Sequence, residues 1–390
     1  MNRLILLVSF FIAFSSCGVS QSQDTPHITP GAYNLPAYLP LLKDKNIGMV
    51  VNQTSEISGT HLVDSLLDYG IKIKAVFAPE HGFRGQAADG ELVKDGVDTK
   101  TKLAIISLYG KHKKPTKEDL QGIDLIIFDI QDVGTRFYTY ISTMHLVMEA
   151  CAENNVKFMV LDRPNPNGMY IDGPIRTAEL QGFVAMDPLP ILHGLTVGEL
   201  ALMINGEGWL NNKVKCDLQV IPVKDYKHED KYALPVKPSP NLPNDLAIEL
   251  YPTLCLFEGT VISVGRGTYE PFLQIGHPQF TDMKDSFKPV SITGMSVYPP
   301  LEGETCYGIN FSHKKNIEGG LHLNYLIDFY QKYKGEDFFK PYFNTLAGNK
   351  ILQEQIKNGL SEAEIKKSWQ KELTDFKQIR TKYLLYPDFN

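Results

Sequence analysis

The amino-acid sequence predicts an α/β protein: a Rossmann-like, doubly wound, mostly parallel sheet followed by a smaller C-terminal α+β domain. Three observations predict it. Short apolar, β-branched runs alternate with helix-period segments between residues 47 and 161, the order that builds right-handed β-α-β crossovers. The run over 123–130 is nearly all apolar rather than apolar at every second position, as a strand covered on both faces must be. After about residue 284 the texture changes to two short strand patterns and then amphipathic helices. The 390 residues suit two domains. The divisions expected are a signal peptide over 1–16, a tether over 17–30, the Rossmann-like domain over 31–284 and the C-terminal domain over 285–390.

The chain opens with Arg3 and an apolar run over 4–14, too short for a permanent membrane span. Ser15-Ser16-Cys17-Gly18 follows. Small residues directly before a cysteine resemble the lipobox of bacterial lipoproteins, where the peptide is cut before the cysteine and the thiol is lipidated. Phe14 stands where that pattern prefers Leu, and an ordinary secretory signal is the alternative. Both imply export. The expectation is an exported, periplasmic bacterial lipoprotein, membrane-anchored only through lipid on Cys17. Residues 18–30 are polar and lack apolar periodicity, which reads as the tether.

In chain order, Ile47–Val51 is the first strand, ending at Asn52-Gln53-Thr54. Residues 61–69 place Leu62, Val63, Leu66 and Leu67 at helical spacing, with Gly70 as the stop. Ile71, Ile73, Val76 and Phe77 mark a second strand. It must end at Pro79, which cannot donate to a sheet ladder, and Gly82 bends the chain beyond it. A third strand covers 103–108, and Thr116 ahead of Lys117, Glu118 and Asp119 reads as a helix N-cap. A fourth strand covers 123–130, a helix 138–154 and a fifth strand 156–161. Thr196 and Glu199 form a capping-box pattern, and 218–223 is a further strand. The stretch 235–243 (P-V-K-P-S-P-N-L-P) is too proline-rich for regular structure and reads as a rigid crossing loop. Beyond it, 290–297 and 306–311 read as strands. Segments 321–333, 350–358 and 361–376 read as helices, the last opening with the capping box Ser361 to Glu364.

A formal charge of -6 and a pI near 6.0 argue against a nucleic-acid partner. Lys111-His112-Lys113-Lys114 reads as a solvated loop. Cys151, Cys216, Cys255 and Cys306 lack CxxC spacing, which argues against zinc or redox chemistry. Their apolar settings suit buried free thiols, although export permits disulfides.

The polar residues gather at one place. Strand two ends in Glu80 and His81, strand four in Asp129, Gln131 and Asp132, strand five in Asp162, Arg163 and Asn165. All lie at the carboxyl edge of the predicted sheet, where open α/β proteins bind ligands and where groups from separate strands converge on one volume. Glu258 and Arg266, eight residues apart with glycines around the arginine, suggest backbone held close to a ligand or a structural ion pair. No dinucleotide glycine fingerprint, P-loop, G-x-S-x-G or H-E-x-x-H is present. Asp129 and Asp132 are one residue too far apart for the Asp-x-Asp of haloacid-dehalogenase phosphatases. What remains is carboxylates, a histidine, arginines and tyrosines, a set for acid-base work on a polyhydroxylated substrate with an anionic substituent.

Here the motifs A-P-E-H-G-F-R-G (78–85), D-I-Q-D-V-G-T-R-F-Y-T-Y (129–140), L-D-R-P-N-P (161–166), P-S-P-N (238–241), L-F-E-G-T (256–260) and S-V-G-R-G-T (263–268) resemble those of the NamZ-type exo-β-N-acetylmuramidases, long catalogued as a domain of unknown function. The resemblance runs from about residue 47 to the C-terminus. It implies a cleft between the two domains and removal of terminal N-acetylmuramic acid from the non-reducing end of peptidoglycan fragments. No nicotinamide cofactor and no metal are implied, and Glu80 matches the candidate catalytic acid. Desolvation by apolar Phe77 and Phe83 would favour its protonated form. His81 completes the pair, and Asp129, Asp132 or Asp162 is expected as base or nucleophile, with the substrate acetamide as the alternative. Arg136, Arg163 and Arg266 are candidates for the lactyl carboxylate. Tyr138 and Tyr140 are candidates for the sugar ring, with helix packing as the competing reading. Arg84, Asn165, Asn241 and Glu258 complete the expected substrate-binding set.

Overall fold

The structure, a computed structural model, describes residues 28–85, 95–314 and 317–389. The expected signal peptide and Cys17 lie outside them. Strands β1 (Ile47–Val51), β2 (Ile73–Ala78), β3 (Gly96–Val97), β4 (Ala104–Ser107), β5 (Leu125–Asp129), β6 (Lys157–Leu161) and β7 (Leu218–Ile221) form one seven-stranded sheet. Their order is β7-β6-β5-β1-β2-β4-β3, parallel throughout except for β3 against β4. The chain winds outward from β1 through β2 to β4, then returns to place β5 on the other side of β1. The order therefore reverses beside β1, which leaves a crevice at the strands' carboxyl ends.

The continuous apolar runs follow from burial on both faces. Met49, Val76, Ile127 and Met159 point to one face, where they pack with Tyr38 and Leu42 of α1 (Leu35–Leu42) and with Leu62, Val63 and Leu66 of α2 (Leu62–Asp68). Val50, Phe77, Ile126, Phe128 and Phe158 point to the other face. There they join α3 (Tyr140–Glu153), α4 (Val197–Glu207) and α5 (Asp245–Leu254) in a core that continues into the C-terminal half. Phe77 and Phe128 are completely covered, each worth about 1.5–3 kcal/mol relative to exposure.

The C-terminal half carries an antiparallel sheet of β8 (Gln274–His277), β9 (Asp285–Phe287) and β10 (Cys306–Asn310) in the order β8-β10-β9. Helices α6 (Asn324–Lys332), α7 (Tyr342–Ala347), α8 (Ile351–Lys357), α9 (Glu362–Ser368) and α10 (Gln370–Arg380) follow. The division expected at 284/285 falls inside this sheet, because β8 precedes it. Arg380 grips the Gly194 carbonyl at 2.6 and 3.0 Å and Asp388 at 2.7 and 2.8 Å, and the Tyr386 hydroxyl donates to Asp162. These bonds tie the chain's end to the Rossmann-like half.

Several elements differ from expectation. The capping pair at Thr116 forms, with Asp119 N–H 3.2 Å from the Thr116 hydroxyl, but Gly122 at φ 69° closes a turn before a helix can propagate. Residues 290–297 form an irregular turn closed by an Ile292–Ser296 bridge. The helix expected over 361–376 breaks at Trp369, which is buried and donates to Asp172 at 3.0 Å. Helix α5 carries no sequence expectation because Pro243 and Pro252 interrupt its pattern. Asn244 starts it by accepting from Ala247 N–H at 3.0 Å. The four cysteines within the described residues are buried free thiols. No helix among those residues is long and apolar enough to cross a membrane.

Candidate active site

The end of β2 builds the site. Pro79 stops the strand, and Gly82 N–H closes a turn on the Pro79 carbonyl at 3.0 Å. His81, third in that turn, adopts φ 68°, a left-handed conformation normally left to glycine. A non-glycine residue there costs on the order of 1–3 kcal/mol. Glu80 is half-buried. Its Oε2 accepts from the Thr139 hydroxyl at 3.2 Å, and its backbone carbonyl accepts from the Tyr140 hydroxyl at 3.4 Å. Oε1 has no protein partner among the described residues. Thr139 is the N-cap of α3 and spends its hydroxyl on Glu80 rather than on the helix.

Glu80 and His81 open into a cleft of about 640 Å³ walled by the sheet edge on one side and residues 251–346 on the other. The proline-rich loop 235–243 forms part of the wall. Gln53 holds it through the Lys237 and Pro238 carbonyls at 3.1 Å each, and Tyr138 donates to Pro238 at 2.7 Å. Ser239 bridges it to His81 Nε2 at 3.2 Å. Asn241 is 1% exposed and donates from Nδ2 to Met295 at 3.1 Å, while its Oδ1 has no hydrogen-bond partner among the described residues. A buried acceptor of that kind lining a cleft is available to a substrate N–H or hydroxyl. Burial holds the Tyr138 and Tyr140 phenols far above their ordinary value, so each remains a donor. Across the cleft, Arg266 is ion-paired with Glu258 and lies over the Phe272 ring at 5.2 Å.

Several expected site residues do not enter this cleft. Asp129 is wholly buried and chelated by Arg163, Nε to Oδ1 at 2.6 Å and Nη2 to Oδ2 at 2.9 Å. Asp162 accepts from Thr196, Gly198 N–H, Arg163 N–H and Tyr386. Asp132 accepts from Gly134 N–H at 2.7 Å and faces His193 at 3.7 Å. Asn165 donates to the Leu195 carbonyl at 2.9 Å. Arg136, fully buried, donates to the carbonyls of Pro174, Leu189 and Leu346. The physical reason is common to all six positions, Arg163 included: successive strand-end side chains point to opposite faces of the sheet or into the loops packed over it, where each finds a structural partner. Phe77 and Phe83 likewise belong to the cores on opposite faces rather than to the cleft wall. The glycines around Arg266 serve the protein itself, since a Cβ at Gly267 would meet Pro299 and the Val290 carbonyl at 2.6 Å.

Arg84 also turns away, donating to Asp98 at 2.8 and 3.0 Å and approaching Asp64 at 3.4 Å. Its guanidinium holds the Asp98 carboxyl well below the usual carboxylate range, against the opposing effect of burial. A carboxyl lowered by folding contributes stability that is complete above its unfolded value of about 3.9 and is lost as the pH falls below it. Arg84→Met should therefore lower the urea midpoint at neutral pH and flatten its decline below about pH 4. An acid limb identical to the wild type would remove this pair from the protein's acid response.

Two family models cover this geometry. Residues 47–246 match the N-terminal domain of exo-β-N-acetylmuramidase NamZ, and residues 249–386 match its C-terminal domain. The chain belongs to the NamZ family. It is 40% identical over 394 aligned residues to the peptidoglycan β-N-acetylmuramidase NamZ of Bacillus subtilis strain 168, covering 94% of this chain and 93% of that protein. A crystal structure of a DUF1343-family protein from Bacteroides fragilis superposes with a TM-score of 0.87 at 45% identity, covering 93% of this chain and all of that one. A second from the same organism gives 0.78 at 28% identity, over 92% and 99% of the two chains.

In this NamZ-family chain the cleft lies between the two matched domains, as the resemblance implied. Of the expected residues, Glu80, His81, Tyr138, Tyr140, Asn241, Glu258 and Arg266 line it. Sequence reasoning missed Thr139, Ser239, Lys113 and Tyr342. Thr139 and Ser239 sit inside quoted motifs, so their position was the available signal. Lys113 stood in the basic run read as a solvated loop, and Tyr342 carried none. Among the described residues, no three of His, Cys, Asp and Glu group so as to hold a metal ion.

Proposed function

We propose that this chain is a glycoside hydrolase that removes terminal N-acetylmuramic acid from the non-reducing end of peptidoglycan fragments, with Glu80 as general acid. One observation carries the residue assignment. Among the described residues, Glu80 is the acidic side chain of the sheet edge that lines the cleft with an unpartnered oxygen. Glu80 gives its proton to the glycosidic oxygen as the bond to C1 breaks, and the bonding pair leaves with that oxygen. Glu258, the other carboxylate in the cleft, is occupied by Arg266, which supports the substrate's acetamide oxygen as the group that closes on C1. The Glu80 carboxylate then takes a proton from the water that opens this intermediate. Tyr140 and Thr139 fix the Glu80 backbone and carboxyl, and Asn241 Oδ1 offers an acceptor to the sugar.

The sequence pattern around Cys17 supports export and lipid attachment at that residue, which would hold the enzyme at a periplasmic membrane surface facing its polymer. The activity is tested with chromogenic glycosides. The wild type should release chromophore from the N-acetylmuraminide and little from the N-acetylglucosaminide. Equal rates on the two, or none on the first, would reject the assignment.

A further inference from the structure

The basic cluster at 111–114 is not the solvated loop its composition suggests. Its flanking side chains are tied outward: His112 Nε2 lies 3.0 Å from Asp119, and Lys114 contacts Glu149 at 2.6 Å and Glu153 at 2.7 Å on α3. Lys113 between them faces the cleft. It is half-buried, its ammonium 4.3 Å from the centre of the Phe183 ring, and no carboxylate pairs with it among the described residues. An aromatic face attracts a cation without neutralising it, so the charge is left for a ligand.

The other cations expected to read an anionic substituent are committed elsewhere. Arg136 is held by carbonyls, Arg163 by Asp129 and Arg266 by Glu258. Lys340 also lines the cleft, but it is exposed. A muramyl residue differs from a glucosaminyl residue by a lactyl ether, and hence by one carboxylate. Resting on the muramidase reading, we infer that Lys113 binds the lactyl carboxylate of the terminal sugar and sets the preference for muramyl over glucosaminyl substrates. Because the neighbouring side chains already pin the loop, little ordering cost remains to be met when the anion arrives.

Titration calorimetry with free N-acetylmuramic acid and with its lactyl methyl ester tests this without turnover. Lys113→Met should bind the acid about ten- to a hundredfold more weakly, as expected for loss of a charged hydrogen bond, and bind the ester as the wild type does. Lys113→Arg should keep most of the affinity for the acid. Added salt should weaken acid binding in the wild type and leave ester binding unchanged. Lys113→Met binding the acid like the wild type, or losing acid and ester by the same factor, overturns the inference, as does a wild type that binds the two equally. A protein that binds the acid through Lys113 yet cleaves no muraminide would instead overturn the hydrolase reading.

Discussion

Glu80→Gln is expected to reduce release of N-acetylmuramic acid by about a hundredfold or more, the usual worth of a positioned general acid, while leaving the unfolding midpoint where it is. Glutamine keeps the shape of the side chain and can still accept from the Thr139 hydroxyl, so the turn at Pro79 to Gly82 loses no contact. What it cannot do is give up a proton to the glycosidic oxygen. A substrate whose leaving group needs no protonation should therefore be cleaved by the variant far better than a natural disaccharide. Undiminished turnover on the disaccharide would take Glu80 out of the mechanism.

The second large effect falls on stability. Asp129→Asn or Arg163→Met should each destabilise the fold by about 3–5 kcal/mol, because either change leaves a buried, formerly paired group without its counterpart. Asp129 is 0% and Arg163 4% exposed, and their two-pronged contact joins the ends of β5 and β6 directly. Removing both charges should cost less than the sum of the single losses. Denaturant titration reads this, and activity per folded molecule should persist in the single variants. An Asp129→Asn protein with normal stability and no turnover would return Asp129 to the catalytic set.

These expectations separate two groups of residues that look alike in the sequence. Glu80, Asp129, Asp132 and Asp162 all stand at or just beyond the ends of apolar strands, and the common direction of those parallel strands brings all four to one edge of the sheet. Which of them meets the cleft depends on which face each points to and what has packed there. Glu80 leaves β2 in a turn that His81 completes in a left-handed conformation, so it reaches open space. Asp162 instead meets the N-terminus of α4 and the hydroxyl of Tyr386, more than two hundred residues further along the chain.

Composition and order of residues alone determined the sheet, its parallel character, most of its helices and the motifs that name the family, since apolar periodicity, proline stops and capping pairs are local properties. Only tertiary structure decided that Arg136 and Arg163 are walled in, that Lys113 is turned inward and that α5 forms despite Pro252. Those outcomes rest on contacts between segments far apart in the chain, where burial and available partners, rather than residue type, decide what a charged side chain can do.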